Sequence, residues 1–163
     1  MENSFLAASM MCADFHHLED EICRLDQAGI DCYHIDIMDG RFVPNFGMWL
    51  QDLELIRKIT KKWVDVHLMI SSPGDYIDFF ANKGVNIIYI HPEADLHPAR
   101  TLLKIKERGL YAGIAINPGT SIENIRELLH IIDLILVMTV NPGFAGQKYL
   151  DFVNPKIEQL IKM

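Results

Sequence analysis

Cysteine is scarce in this chain. Its three residues, Cys12, Cys23 and Cys32, form an odd count without CxxC spacing, which reads as reduced cytosolic thiols rather than a disulfide framework. Long apolar runs are missing too. Half the residues are hydrophobic, yet no run approaches the ~18 to 20 residues that cross a bilayer. The start, Met1-Glu2-Asn3-Ser4-Phe5, has an acid where a secretory leader wants a base, and Asp14 stops the brief apolar stretch that follows. No Lys/Arg cluster stands out against a net charge of -7. Neither nucleic acid nor a membrane is therefore expected as a partner, and the cytoplasm is the expected compartment. An acidic protein can still hold a phosphorylated small molecule on backbone N–H groups and helix N-termini.

What is present is a repeat of strand, loop and helix. The 163 residues fit one domain, 1–163, with enough apolar content for a sizeable core. Expected strands cover Phe5–Met10, a run from Ile30 through His34 and Asp36, Val64–Met69, Val85–Ile90, Leu110–Ile116 and Ile131–Val140. Between them, Leu18, Ile22 and Leu25, then Leu50, Leu53 and Ile56, recur at helical spacing. Asp14 is placed to cap the first helix, Ser72-Pro73 to open the third, and Ser121 with Asn124, or Thr120 with Glu123, to open the fifth. A last helix is expected over Tyr149–Met163. About six such units, with strands apolar on both faces, predict an α/β fold with a parallel sheet under helical cover. A (β/α)8 barrel needs eight units and typically about 250 residues, so the chain looks two units short.

The polar residues of interest follow the strands, where barrels and doubly wound sheets both place their sites. In His34-Ile-Asp-Ile-Met-Asp-Gly40 the two-residue period puts His34, Asp36 and Met38 on one face and Ile35 and Ile37 on the other. Val64-Asp-Val-His-Leu-Met69 likewise pairs His67 with Met69. Two imidazoles and a carboxylate at neighbouring strand ends fit a metal site; the alternative is that each His is a satisfied core residue. Asp65 shares the face of His67 one pleat deeper and is expected to support the site. The loop Arg41–Gly47, broken by Pro44 and Gly47, is long enough to cover it.

Four segments then carry a resemblance. His34-Ile-Asp-Ile-Met-Asp-Gly-Arg-Phe-Val-Pro-Asn45 resembles the signature of ribulose-phosphate 3-epimerases and the related allulose-6-phosphate 3-epimerases. Val66-His-Leu-Met69, Met138-Thr-Val-Asn-Pro-Gly-Phe-Ala-Gly-Gln147 and Ser9-Met-Met-Cys-Ala-Asp14 resemble further motifs of that family, in its order and along the whole chain. The resemblance implies a TIM (β/α)8-type barrel, here truncated after about six βα units. It implies one divalent metal ion on His34, Asp36 and His67, with Zn, Fe, Mn and Co undistinguished by ligand type. Asp36 would also be the catalytic base. Ser9, His67, Gly143, Phe144, Ala145 and Gly146 would touch the substrate, a phosphorylated ketose, and Met38, Met69 and Met138 would support it with sulfur. The reaction implied is epimerisation at C3, of D-ribulose 5-phosphate or D-allulose 6-phosphate, by an enzyme expected to be a homo-oligomer.

The departures are specific. Ala8 stands where the family has Pro, Arg41 where His is frequent, and Ala145, with Thr139, leans toward the allulose-phosphate branch. The seventh-strand Asp, a ligand and the opposing acid of the family, has no counterpart in this chain. A related aldolase or decarboxylase barrel would carry Asp-x-Lys where this chain reads Asp65-Val-His67. A barrel module without catalysis is the other alternative, with strand edges open to pairing.

Overall fold

The computed structural model describes residues 4–163; Met1 to Asn3, on which the leader reading begins, lie outside the described residues. Alternation decides the facing of each strand. β2 (Cys32–Met38) and β3 (Trp63–Met69) run parallel over seven matched residue pairs. Tyr33, Ile35 and Ile37, with Val64, Val66 and Leu68, are buried in the main core between sheet and helices. Their chain neighbours His34, Asp36, Asp65 and His67 therefore face the other way.

β1 (Ala7–Ser9), β4 (Ile87–Ile90), β5 (Tyr111–Ile116) and β6 (Leu134–Val137) complete a six-stranded parallel sheet in the order β1-β2-β3-β4-β5-β6. When strands follow one another in sequence order and crossovers are right-handed, every connecting helix falls on one face. The sheet curls about its helix-free face as a half-barrel of the TIM type.

The cover is α1 (Leu18–Ala28), α2 (Leu50–Ile59), α3 (Ile77–Ala81), α4 (Pro98–Glu107) and α5 (Asn154–Ile161). α1 turns Leu18 and Ile22 inward and collects Glu19, Asp20 and Glu21 in its first turn, where the helix dipole favours acids. It stops at Gly29, whose left-handed φ of 82° favours glycine. α4 starts with Pro98 and buries Thr101, Leu102 and Ile105.

Several boundaries differ from expectation. The first strand is only Ala7–Ser9, because the Ser9 side chain caps a 310 turn over Met10–Cys12. Asp14 caps a separate 310 turn, Phe15–His17, and α1 follows it. Ser72-Pro73 opens a 310 turn, not α3 itself. The segment after β5 is a 310 helix, Ile122–Leu128, rather than an α-helix. Ile122, Ile125 and Leu128 are spaced by three, the period at which 310 side chains eclipse, so that winding stacks them on one side. Ser121 caps it by accepting from Glu123 N, while the Thr120 hydroxyl donates to Glu93 instead of forming a capping box. The last helix begins only at Asn154, behind a 310 turn over Asp151–Val153.

Candidate active site

Register sets the site. Asp36 of β2 is directly opposite His67 of β3, and His34 is opposite Asp65. His34 Nε2 lies 3.3 Å from Asp36 Oδ1, and His67 Nδ1 lies 3.2 Å from the same oxygen. The second carboxylate oxygen, Oδ2, accepts a 2.7 Å bond from the Ser9 hydroxyl at the end of β1. One ligand atom from each of His34, Asp36 and His67 falls within 4.8 Å of the others.

The charges are strongly coupled. Burial alone would raise the Asp36 carboxyl, but the His34 and His67 rings beside it hold it well below the ordinary carboxylate range. Burial also opposes a charge on His34, yet Asp36 and Asp65 together raise it to about 10. His67 goes the other way: burial pushes it down to about 4, against the pull of Asp36.

These groups form the floor of a cavity of about 310 Å³. Ser9, His34, Asp36 and His67 line it together with Met38 and Met69, and Met138, Gly143, Phe144 and Ala145 line it from the loop after β6. Gly146 lies outside that lining. Met38 and Met69 pack on Val43 of the β2–α2 loop. From the same loop, Asn45 Nδ2 donates to Gly143 O at 2.7 Å. A Cβ on Gly143, at φ 114°, would press on Val43, so glycine there permits the close approach. A Cβ on Gly47 would strike the backbone oxygen of Asp36, the atom that accepts from Met48 N at 2.9 Å. The loop is thereby seated on the strand that carries Asp36. Another hollow, about 320 Å³ and lined by Trp49, Tyr76 and Phe79 among others, lies outside the barrel and contains no such donor set.

Comparison with known proteins decides what the arrangement belongs to. The model of the ribulose-phosphate 3 epimerase family matches residues 5–163. A ribulose-phosphate 3-epimerase of Bacillus subtilis is 45% identical over 158 residues, covering 97% of this chain and 73% of that protein. One from Synechocystis is 46% identical over 164 residues, 99% of this chain and 71% of that one. The chain belongs to the ribulose-phosphate 3-epimerase family. Its members are isomerases, and the expected fold and family both hold. The tryptophan synthase alpha subunit of Legionella pneumophila has a similar fold at TM-score 0.60 and 14% identity, covering 98% of this chain and 69% of that one. That likeness concerns the fold alone.

The donor set of this epimerase-family chain fits a divalent cation. His34 Nδ1 lies 2.5 Å from Asp65 Oδ1, which leaves Nε2 toward Asp36. His67 Nε2 lies 2.7 Å from His91 Nε2, which leaves Nδ1 toward Asp36. Each ring thus has one nitrogen held from behind and one turned to the site, the usual support of a ligating histidine. Asp65, only 2% exposed, lies one pleat deeper behind His34.

His91 and Glu93 were not singled out from the sequence. His91 is fully buried and follows Ile87 and Tyr89 on the inner face, so the two-residue period that marks His34 marks it as well. Glu93 Oε1 accepts from Asn117 N at 3.2 Å and from Thr120 Oγ1.

Proposed function

We propose that this chain catalyses epimerisation of D-ribulose 5-phosphate at C3, giving D-xylulose 5-phosphate through an enediolate. The observation that carries the reading is Asp36, a buried carboxylate kept ionised between His34 and His67 on the floor of the cavity. Asp36 takes the C3 proton, and its pair of electrons flows toward the neighbouring carbonyl. His34, Asp36 and His67 would hold one divalent metal ion, which supplies Lewis-acid stabilisation of the enediolate charge. The Ser9 hydroxyl fixes the rotation of Asp36 through Oδ2 and stands at the substrate's side. Met38, Met69 and Met138 give the reacting carbons a soft, water-poor wall. Backbone amides at Gly143, Phe144, Ala145 and Gly146 would receive the phosphate end, and His67 closes the cavity floor beneath the substrate.

The names of the relatives support ribulose 5-phosphate as substrate over allulose 6-phosphate. Return of a proton on the opposite face needs a donor other than Asp36, and Asp36 is the only carboxylate in the cavity lining among the described residues. The polypeptide of these residues should therefore exchange the C3 proton faster than it inverts C3. Residues 1–163 are read as a single domain, and the enzyme as a cytoplasmic homo-oligomer without nucleic-acid or membrane partners. Among the described residues no helix is long and apolar enough to cross a membrane.

The deciding experiment incubates the purified chain with each ketose phosphate in deuterated water and follows C3 by NMR. Deuterium entering ribulose 5-phosphate, with a smaller yield of xylulose 5-phosphate, is the expected result. No exchange with either sugar in metal-supplemented buffer would remove the reading.

A further inference from the structure

We propose that His91 and Glu93 are positioning residues that set the ring tautomer of His67, so that its Nδ1 offers a lone pair to the metal position. The proposal rests on the metal reading of the site above.

The argument is one of proton counting. His67 is 1% exposed and His91 is fully buried. Their Nε2 atoms are 2.7 Å apart, so one of them carries a proton and the other accepts it. A histidine nitrogen that binds a metal must have a free lone pair. If His67 Nδ1 is that nitrogen, its ring proton is on Nε2 and is donated to His91 Nε2. His91 must then carry its own proton on Nδ1.

That atom is buried without a hydrogen bond from ordinary partners, and Glu93 Oε2 is the carboxylate oxygen 3.5 Å away. An ionised carboxylate only accepts, so it favours the Nδ1–H form of His91. Glu93 is itself fixed, since Oε1 accepts from Asn117 N and Thr120 Oγ1 across the start of the next loop. The Phe42 ring, 4.8 Å from the His91 ring between centroids, covers the pair from the β2–α2 loop.

The opposite arrangement is also defined. With no cation, His67 Nδ1–H can donate to Asp36 Oδ1 at 3.2 Å. His91 would then carry its proton on Nε2 and turn a lone pair toward the Glu93 carboxylate. Asp36 and Glu93 therefore favour opposite tautomers of the same imidazole pair. A cation held by His67 Nδ1 would leave no proton on that nitrogen, so the arrangement with His67 as Nε2–H and His91 as Nδ1–H, the one that the Glu93 carboxylate favours, would be the one kept.

The test uses the whole chain and Zn²⁺ alone. Zinc affinity is measured by chelator competition for the wild type, for the isosteric Glu93→Gln and for His34→Ala. Ring tautomers of the zinc-loaded wild type are read from long-range ¹H–¹⁵N NMR. Expected are His67 as Nε2–H, His91 as Nδ1–H, and zinc affinity about 10- to 100-fold weaker in Glu93→Gln. Glu93→Asp, which keeps the acceptor, should recover part of the loss. Melting of the zinc-free variants separates folding from affinity. If Glu93→Gln does not fold, Thr120→Val, which releases one bond to Glu93, should weaken zinc by a smaller factor. Wild-type affinity in the folded Glu93 variant, or His91 as Nε2–H with zinc bound, overturns the positioning role while leaving the site standing. Zinc binding that His34→Ala does not weaken removes the site, and the positioning role with it.

Discussion

β2 and β6 stand on opposite sides of the same cavity and are built differently. Six of the seven residues of β2 are buried, and it is paired along its whole length with β3. All four residues of β6 are half-exposed, and among the described residues β6 pairs only with β5. The ionisable groups of the site are on the first side. The loop after β6 offers glycines, backbone amides and Met138, without a charged side chain in the lining. The difference follows from physical needs. A base and its imidazoles must be desolvated and held to a few tenths of an ångström, which a long matched register provides. The loop after β6, proposed to receive a phosphate, needs open backbone N–H groups and tolerates a looser frame.

The sharpest way to break the comparison is at Asp36. Asp36→Asn keeps the shape but removes the proposed base and a proposed ligand charge. Deuterium exchange at C3 of ribulose 5-phosphate should fall by about 10²- to 10⁴-fold. Retained exchange would mean that the buried side does not carry the chemistry. Stability provides a second contrast. Leu68→Ala, at a fully buried position of β3, should cost about 2–5 kcal/mol in urea unfolding. Leu136→Ala, half-exposed on β6, should cost less, because fewer contacts are lost and the gap fills with water. Equal losses would show that both sides are packed alike.

Much of this was legible in the residues themselves. The two-residue period groups His34 with Asp36 on one face of β2 and His67 with Met69 on one face of β3, and the same period fixes which isoleucines meet the helices; that the two faces are the same side of the sheet comes from the pairing of β2 with β3. The strand count and parallel order also followed from alternation. Boundaries were less legible. The 310 turns after β1 and β5 depend on Ser9 and Ser121 side chains competing for backbone N–H groups, which propensity does not rank. His91 escaped because Pro92 and Glu93 after it look like loop punctuation, although the inner-face alternation of Ile87 and Tyr89 extends to it. No local pattern reveals that Glu93 reaches Thr120, since that contact spans 27 residues of sequence.

Support from behind the rings is the next place to probe. Asp65→Ala takes away the partner of His34 Nδ1 while leaving all three proposed ligands in place. Metal affinity should drop by about 10- to 100-fold, measured by chelator competition, with the fold retained by circular dichroism. An unchanged affinity would mean that the strand register alone orients His34.

The smallest expected effect concerns the joint between the two sides. Glu93 follows β4 and binds Asn117 N and Thr120 beyond β5, where Lys156 Nζ of α5 also donates to Asn117 O and Pro118 O, each at 2.8 Å. Burial would raise the Glu93 carboxyl, but His91, Thr120 and the Asn117 amide lower it from 4.5 to about 2. A carboxyl whose folded value is depressed contributes stability that is fully present above its unfolded value. That contribution fades as pH falls from 4.5 through about 2, because the unfolded chain takes up the proton first. Wild type and Glu93→Gln should therefore differ most in urea midpoint above pH 5, and the gap should narrow steadily toward pH 3. Subtracting the variant cancels the other acids that titrate in this range. A gap that stays constant from pH 6 to pH 3 would show that the charge of Glu93 does not hold the half-exposed side to the buried one.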